Sequence, residues 1–233
     1  MSVEVKNING ILVAAHELKS PLAVLRQLAF SLDYAEDADD LARIKTELID
    51  TSDRALKQVE DLTKIARLED GLFELEPISI RRLCDDVASE LDVLFNMNDR
   101  TLDLRYTNRT RLVVANRDLL HSVIYNFCTN AVRYSEMGSR ATLSLKDHRE
   151  FVRLAVRDRG PALPNDLWRN LKCGWLAQPT KISLRPGSSG LGLYIASRFS
   201  EYMHAPIGAI RHHDGVSFFV DLPISHQASF FSC

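Results

Sequence analysis

The feature that most constrains this chain is a pair of helix-period apolar runs held apart by a short acidic stretch. Ile8, Ile11, Leu12, Ala15, Leu18, Leu22, Leu25, Ala29 and Leu32 recur mainly at steps of three and four, as on one face of a long helix. Leu41, Ile44, Leu48, Ser52, Ala55, Leu56, Val59, Leu62, Ile65 and Ala66 repeat the pattern, and Gly71 ends it. Between them, Asp33 to Asp40 is too polar to pack and reads as a solvated turn. Two helices joined by so short a loop form an antiparallel hairpin. Apolar stripes this wide cannot bury each other within one hairpin; pairing with a second copy into a four-helix bundle would cover them. The expectation is a homodimer.

The first of these helices carries His16 followed at once by Glu17, with Ser20 and Pro21 about a turn later. A neutral imidazole is a nucleophile, and a carboxylate that hydrogen-bonds one ring nitrogen makes the other more reactive. Proline removes a backbone donor and loosens the helix just past the histidine. Alone, the pair more often marks a surface histidine beside a surface glutamate. Motifs further along the chain shift that balance.

Helical periodicity gives way between Arg67 and Pro77, which places a hairpin over residues 1–70, a linker over 71–76 and a second domain over 77–233. In the second domain Ser79 is the expected N-cap of a helix through Leu83, Val87, Leu91 and Leu94. Thr101 to Tyr106 and Leu112 to Ala115 read as strands, and Asn116 as the cap of a helix reaching Tyr134. Ala141 to Leu145 and Phe151 to Arg157 form a hairpin pair, and a further helix runs from Gly190 to Met203. Ile207 to His213 and Val216 to Leu222 close the sheet around an Asp214-Gly215 turn. Strands interleaved with helices without strict alternation give an α+β chain: a helical hairpin, then an α/β sandwich with a mostly antiparallel sheet.

Composition narrows the function. A formal net charge of −2 over 233 residues supplies no basic field for nucleic acid or an anionic membrane. No apolar run approaches the roughly 18 to 20 residues that span a bilayer, and none reads as a signal peptide. Cys84, Cys128, Cys173 and Cys233 have neither metal-type spacing nor disulfide-scaffold density, and read as reduced thiols in a cytoplasmic setting.

Three motifs in the second domain point to a nucleotide. On the helix from Asn116, Leu120, Val123, Ile124, Phe127 and Ala131 form the buried stripe, while Asn126 and Asn130 lie four apart on another face that Arg133 and Tyr134 extend. Two carboxamides there can supply a magnesium ligand and a phosphate hydrogen bond, and Arg133 answers phosphate charge; a polar helix face with no ligand gives the same pattern. Asp158-Arg159-Gly160-Pro161-Ala162 follows a strand directly, where a carboxylate can accept from an exocyclic amine or simply sit in a turn. Gly187-Ser188-Ser189-Gly190-Leu191-Gly192-Leu193 lets backbone approach phosphate oxygens at a helix N-terminus.

In this order the motifs resemble those of the sensor histidine kinases of two-component signalling, over nearly the whole chain from Ile8 to Pro223. His16 to Leu22 looks like the H-box, Asn126 to Ser135 the N-box, and Asp158 to Ala162 and Gly187 to Leu193 the two glycine boxes. Gly208, Gly215 and Phe218 through Pro223 look like the closing hairpin. The resemblance implies a dimerisation and phosphotransfer hairpin joined to a Bergerat-type ATP-binding domain, the fold of gyrase and of the heat-shock chaperone and mismatch-repair ATPases. It makes His16 the phospho-acceptor and Glu17 its acid/base partner. It puts Mg2+ on Asn126, the phosphates near Asn130 and Arg133, and Tyr134 beside the adenine. Asp158 would take the adenine amine, with Gly160 against the purine. Gly187, Gly190, Leu191 and Gly192 would shape the phosphate end, with Arg185 near the terminal phosphate. The implied activity is autophosphorylation of His16 from ATP, then transfer to an aspartate of a response-regulator receiver domain docked low on the bundle.

Several positions depart from the family pattern. Ala162 stands where the first glycine box ends in glycine, and Arg133 where lysine is usual. Trp168 and Trp175 occupy a segment that is normally Phe-rich, and Ser20 stands where relatives able to dephosphorylate their partner carry threonine or asparagine. The alternative is a degenerate kinase, a dimeric partner-binding scaffold with weak or no ATP binding. A gyrase-type ATPase is disfavoured, because Ser122 occupies the position of its general-base glutamate. With fifteen residues before His16, the expectation is either the cytoplasmic part of a membrane-anchored receptor or a kinase that takes its input from another protein.

Overall fold

The computed structural model describes residues 18–106, 110–161, 168 and 191–225. The chain begins there with α1 (Lys19–Ser31), a 3-10 turn at Leu32–Tyr34 and α2 (Ala38–Ala66). The acidic stretch is only partly a turn. Asp37 caps α2, its carboxylate accepting from the Asp40 backbone N–H at 2.7 Å, and Asp39 and Asp40 fill the first turn where the helix dipole favours negative charge. Leu28 and Ile44 are the buried contacts between the two helices. The buried position on α1 is Leu28, and Ala29 of the sequence-derived stripe is exposed. Pro21 lies in the first turn of α1, where a missing N–H costs little. α2 stops at Ala66, and Gly71, at φ +66°, ends the 3-10 turn that follows.

Next come β1 (Glu76–Ile78), α3 (Ile80–Met97), β2 (Thr101–Arg105), β3 (Val113–Ala115) and α4 (Arg117–Tyr134). They are followed by β4 (Arg140–Asp147), β5 (Phe151–Arg157), α5 (Leu191–Tyr202), β6 (Ile207–His212) and β7 (Gly215–Pro223). Ser79 sits at the N-cap of α3 as expected, but its side chain makes no capping hydrogen bond. Asn116 does cap: its Oδ1 accepts from the N–H groups of Asp118 and Leu119, both at 3.1 Å. The main sheet runs β2-β4-β5-β7-β6, with β2 and β4 parallel and every other pair antiparallel; β1 and β3 form a separate antiparallel pair. The β6–β7 turn is His213-Asp214, one residue earlier than the sequence suggested, because Gly215 already pairs with His212.

Alternate residues of β4 and β5 are buried, so one sheet face is apolar and is covered by the helices. Leu143, Leu154, Val220, Phe127 and Phe199 meet in this core, with the Phe127 and Phe218 rings 5.9 Å apart. Each such side chain contributes about 1.5 to 3 kcal/mol on burial. Ile65 and Leu68, from the end of α2 and the turn after it, belong to the same core, and α2 packs against α5. Phe73 meets Tyr202 edge-on at 6.1 Å and its carbonyl accepts the Tyr202 hydroxyl at 3.1 Å. The helical hairpin thus enters the second domain through apolar contacts at its base.

Candidate functional site

The candidate site is built on the polar face of α4. Leu119, Leu120, Val123, Ile124, Phe127 and Cys128 are wholly buried and pin the helix to the sheet, which fixes the direction of the opposite side. Asn126 and Asn130 occupy that side as half-buried residues, with Arg133 exposed and Tyr134 half-buried at the end of the helix. Nδ2 of Asn126 donates to the Ser122 carbonyl one turn back, at 2.8 Å. That bond orients Oδ1 away from the helix, toward Gly192. A Cβ added at Gly192 would lie 2.6 Å from Asn126 Oδ1, so the start of α5 comes as close to the carboxamide as only a glycine permits. The second glycine box and the N-box, 66 positions apart, meet at this contact.

Nδ2 of Asn130 is buried and has no hydrogen-bond partner among the described residues. A buried amide left unpartnered costs about 1 to 3 kcal/mol, and a ligand acceptor at this face would recover it. No group of three or more His, Cys, Asp or Glu side chains is placed to hold a metal among the described residues. The donor set instead suits magnesium carried on phosphates, which needs only one or two protein oxygens. Oδ1 of Asn126 is such an oxygen.

Asp158 follows β5 directly and is 2% exposed. Its N–H donates to the Val216 carbonyl and its Oδ1 accepts the Val216 N–H, both at 2.9 Å. Gly215, with φ +144°, lies against it: an added Cβ would overlap the Asp158 carbonyl oxygen and stand 2.7 Å from Oδ1. Gly160 is buried beside it. The carboxylate is therefore held rigidly by a strand more than fifty residues away. Sequence reasoning placed Gly215 in the hairpin turn and missed this role, which no local sequence signal marks. A polar groove of about 660 Å³ reaches Gly160 between Arg140, Arg159 and Asp214, but Asn126, Asn130 and Gly192 do not line it.

α2 adds groups that the motifs did not indicate. Asp61 is 1% exposed and accepts the Ser122 hydroxyl at 2.7 Å, with Lys64 Nζ 3.4 Å from the carboxylate and 3.3 Å from the hydroxyl. The Lys57 ammonium lies 5.3 Å above the Tyr125 ring. Burial, then the Arg133 charge, lowers the proton affinity of Arg54. Burial, then Glu90 and Asp53, raises the pKa of the Tyr125 hydroxyl. Nothing in the sequence sets Asp61 apart from the solvated carboxylates of α2; its burial is seen only in the structure.

Of the remaining expected site residues, Ser20 is exposed in the first turn of α1, and Leu191 is buried as the first residue of α5. His16, Glu17, Ala162, Trp175, Arg185, Gly187 and Gly190 lie outside the described residues. Cys84 and Cys128 are buried thiols; burial raises the first well above the usual thiol range and pushes the second up to about 12. Neither has the thiolate character of a reactive group.

Residues 115–226 match the family described as histidine kinase-, DNA gyrase B-, and HSP90-like ATPase. The probable sensor histidine kinase TcrY of Mycobacterium tuberculosis is 29% identical over 213 residues, covering 91% of this chain and 44% of that protein. The chain spans about half the length of the curated relatives it matches. Among solved structures, the Acinetobacter baumannii histidine kinase AdeS superposes with a TM-score of 0.64 at 18% identity, over 91% of this chain and 98% of that one. Histidine kinase ThkA, solved in complex with the response regulator protein TrrA, gives 0.62 at 19% identity, over 91% of this chain and 60% of that one. These structures share the fold of this chain, a helical region followed by an α/β domain with a mostly antiparallel sheet.

Proposed function

We propose that this chain, which belongs to the sensor histidine kinases of two-component signalling, transfers the terminal phosphoryl group of ATP to His16 and passes it on to an aspartate of a response-regulator receiver domain. The observation that carries the proposal is the polar face of α4: an oriented Asn126 amide oxygen with Gly192 held against it, and one turn on the unpartnered buried amide of Asn130. Asn126 Oδ1 would hold Mg2+, and magnesium supplies charge neutralisation along the phosphates. Asn130 would donate to a phosphate oxygen, and Arg133 would lie near the phosphates. Asp158, fixed by Val216 and crowded by Gly215, would accept from the adenine amine, with Gly160 against the purine and Tyr134 beside it. Arg185, Gly187 and Gly190 would complete the phosphate end.

Catalysis of such a transfer is mainly positioning and charge stabilisation, so the residues' task is to aim the terminal phosphate in line with His16. Glu17 would orient the imidazole and take its proton. The proposed division is residues 1–70 for phosphotransfer and dimerisation, a linker over 71–76, and 77–233 for ATP. Exposed apolar side chains on both hairpin helices support a homodimer: Leu22 and Phe30 on α1, and Ile49, Leu56 and Val59 on α2. The response regulator would dock low on that bundle, and the ThkA complex with TrrA supports a partner of this kind. No described helix is long and apolar enough to cross a membrane; the location proposed for this segment is the cytoplasm.

The test is incubation with γ-labelled ATP and magnesium. Label that is acid-labile, base-stable and absent from His16→Ala, with nucleotide affinity unchanged, is the expected result. Full nucleotide binding with no labelling of the wild type would favour the degenerate scaffold, and normal labelling of His16→Ala would move the acceptor elsewhere.

A further inference from the structure

We propose that the main sheet carries a second anion site, on the face opposite the helices, whose ligand is a phosphate-bearing small molecule held by Arg105, Arg140 and Arg159. The site goes beyond the kinase reading and does not depend on it. In β4, Ala141, Leu143 and Leu145 are buried beneath the helices, so Arg140, Thr142 and Ser144 alternate onto the open face. β2 pairs with β4 in register, Asp103 beside Thr142 and Arg105 beside Ser144, which brings both β2 side chains to that face. They line the groove of about 660 Å³ that reaches Gly160, together with Arg140 and Arg159. Asn126 and Asn130 stand on α4, across the sheet from this groove.

The groove holds a pair of guanidinium groups that the protein answers only in part. Oδ2 of Asp103 lies 3.8 Å from Arg140 and 4.0 Å from Arg105. One carboxylate oxygen thus sits between two guanidinium groups, too far for a hydrogen bond to either. The two arginine side chains are 69% and 67% exposed, so both forks keep donors for a ligand. Asp214, at the edge of the groove, is taken by Arg157 at 2.7 Å. With Asp103 balancing one guanidinium, the other and Arg159 face only Glu136, which leaves one positive charge in excess. A phosphate group presents three oxygens on a tetrahedral centre, so it meets two guanidinium forks at once, as one carboxylate oxygen does not. A pocket of this size suits a small organic molecule, and the charged lining suits one that carries phosphate.

The groove is also built in advance of any ligand. The turn between α4 and β4, which supplies Glu136 and Ser139 to it, is tied down on both sides. Arg100 donates from Nε and Nη2 to the Ser135 carbonyl at 2.9 and 2.6 Å, and the Gly138 N–H donates to the Asp99 carbonyl at 2.7 Å. Across the groove the Glu136 N–H donates to the Arg159 carbonyl at 2.9 Å. Backbone bonds therefore set the spacing between the segment that carries Arg159 and the turn before Arg140. A ligand entering such a frame has only the arginine side chains left to order, which lowers the cost of binding.

The experiment titrates the intact chain with inorganic phosphate at constant ionic strength and follows backbone amide shifts by NMR. The protein is first saturated with a non-hydrolysable ATP analogue and magnesium, so that phosphate does not report on the proposed nucleotide site. Amides of residues 138–142 and 159–160 should shift and saturate. Arg140→Ala should weaken binding about tenfold, the lower end expected for losing a hydrogen bond to a charged group. Glu136→Gln leaves the backbone bonds of the turn in place and removes the opposing carboxylate, so it should tighten binding, a gain that misfolding does not produce. Lys146→Ala, on the same strand but outside the groove, should change nothing. The absence of saturable shifts at these amides overturns the site, and equal weakening by Arg140→Ala and Lys146→Ala reduces it to a diffuse positive field. Malonate binding as tightly as phosphate overturns the ligand class. If the analogue does not bind, the kinase reading fails, while the Arg140 and Glu136 variants still decide the groove.

Discussion

Replacing Gly215 with alanine tests whether the base-reading carboxylate is held by the crowding seen at the start of β7. The substitution introduces two separable costs. A φ of +144° is a backbone conformation that side-chain-bearing residues rarely adopt, and such strain costs on the order of 1 to 3 kcal/mol. The new Cβ would also overlap the Asp158 carbonyl oxygen and stand 2.7 Å from Oδ1. Asp158 cannot simply step aside, because its N–H and Oδ1 both bond the Val216 backbone at 2.9 Å. Relief requires β7 to shift and the bond from the Val216 N–H to the carboxylate to break. A hydrogen bond to a charged group is worth about 1.5 to 3 kcal/mol. The combined loss should be on the order of 3 to 5 kcal/mol, a large share of a typical domain's stability of about 5 to 15 kcal/mol.

Gly71 supplies the control. It has φ +66° but nothing within 4 Å of an added Cβ, so Gly71→Ala should cost only the left-handed backbone penalty of about 1 to 2 kcal/mol. Urea unfolding of both variants gives the stability difference, and calorimetry with ADP gives affinity under conditions where the variant is folded. Gly215→Ala should lose at least tenfold in ADP affinity, and Gly71→Ala none. Equal stability losses in the two variants, with ADP affinity unchanged in both, would refute the argument that Gly215 holds Asp158 in place.

Three further outcomes follow from the same geometry. Asp158→Asn should weaken ATP by about 1.5 to 3 kcal/mol while leaving GTP binding unaffected, and Asn126→Asp should change the magnesium dependence through the added ligand charge; equal losses of ATP and GTP would remove Asp158 from base reading. Glu17→Gln should slow autophosphorylation on the order of 10²-fold with the fold intact, because a carboxamide takes up no proton, and an unchanged rate would make Glu17 a bystander. Burial, then the Arg157 charge, holds His212 below the ordinary imidazole pKa, so between that lowered value and about 6.5 the unfolded chain binds the extra proton. Stability should therefore drop as the pH is lowered through this window and flatten below it; His212→Gln should remove that component of the urea-midpoint pH profile.

What could be read ahead from the sequence, and what could not, divides along the range of the interactions. Asn116 was legible as a cap because the cap and its N–H partners lie within three residues, and the stripe from Leu120 to Ala131 because burial repeats at helical spacing. The mostly antiparallel character of the sheet was legible from short strands and tight turns, but not the parallel pairing of β2 with β4. Gly192 and Asp158 were legible as chemistry but not as geometry. Nothing near Gly192 says that its missing side chain makes room for Asn126, and nothing near Asp158 says that Val216 and Gly215 hold it. Asp61 was the least accessible. A carboxylate on an amphipathic helix reads as solvated, and only the packing of α2 on α4 turns it into a buried group that needs Ser122. That packing follows from Ile65, which the apolar pattern assigned to the hairpin, and from Leu68 just beyond that pattern; the structure places both in the core of the second domain. An apolar period tells which side of a helix is buried, not what buries it. The polar residues that share the buried side, Thr51 and Asp61 here, mark where the answer must come from another part of the chain.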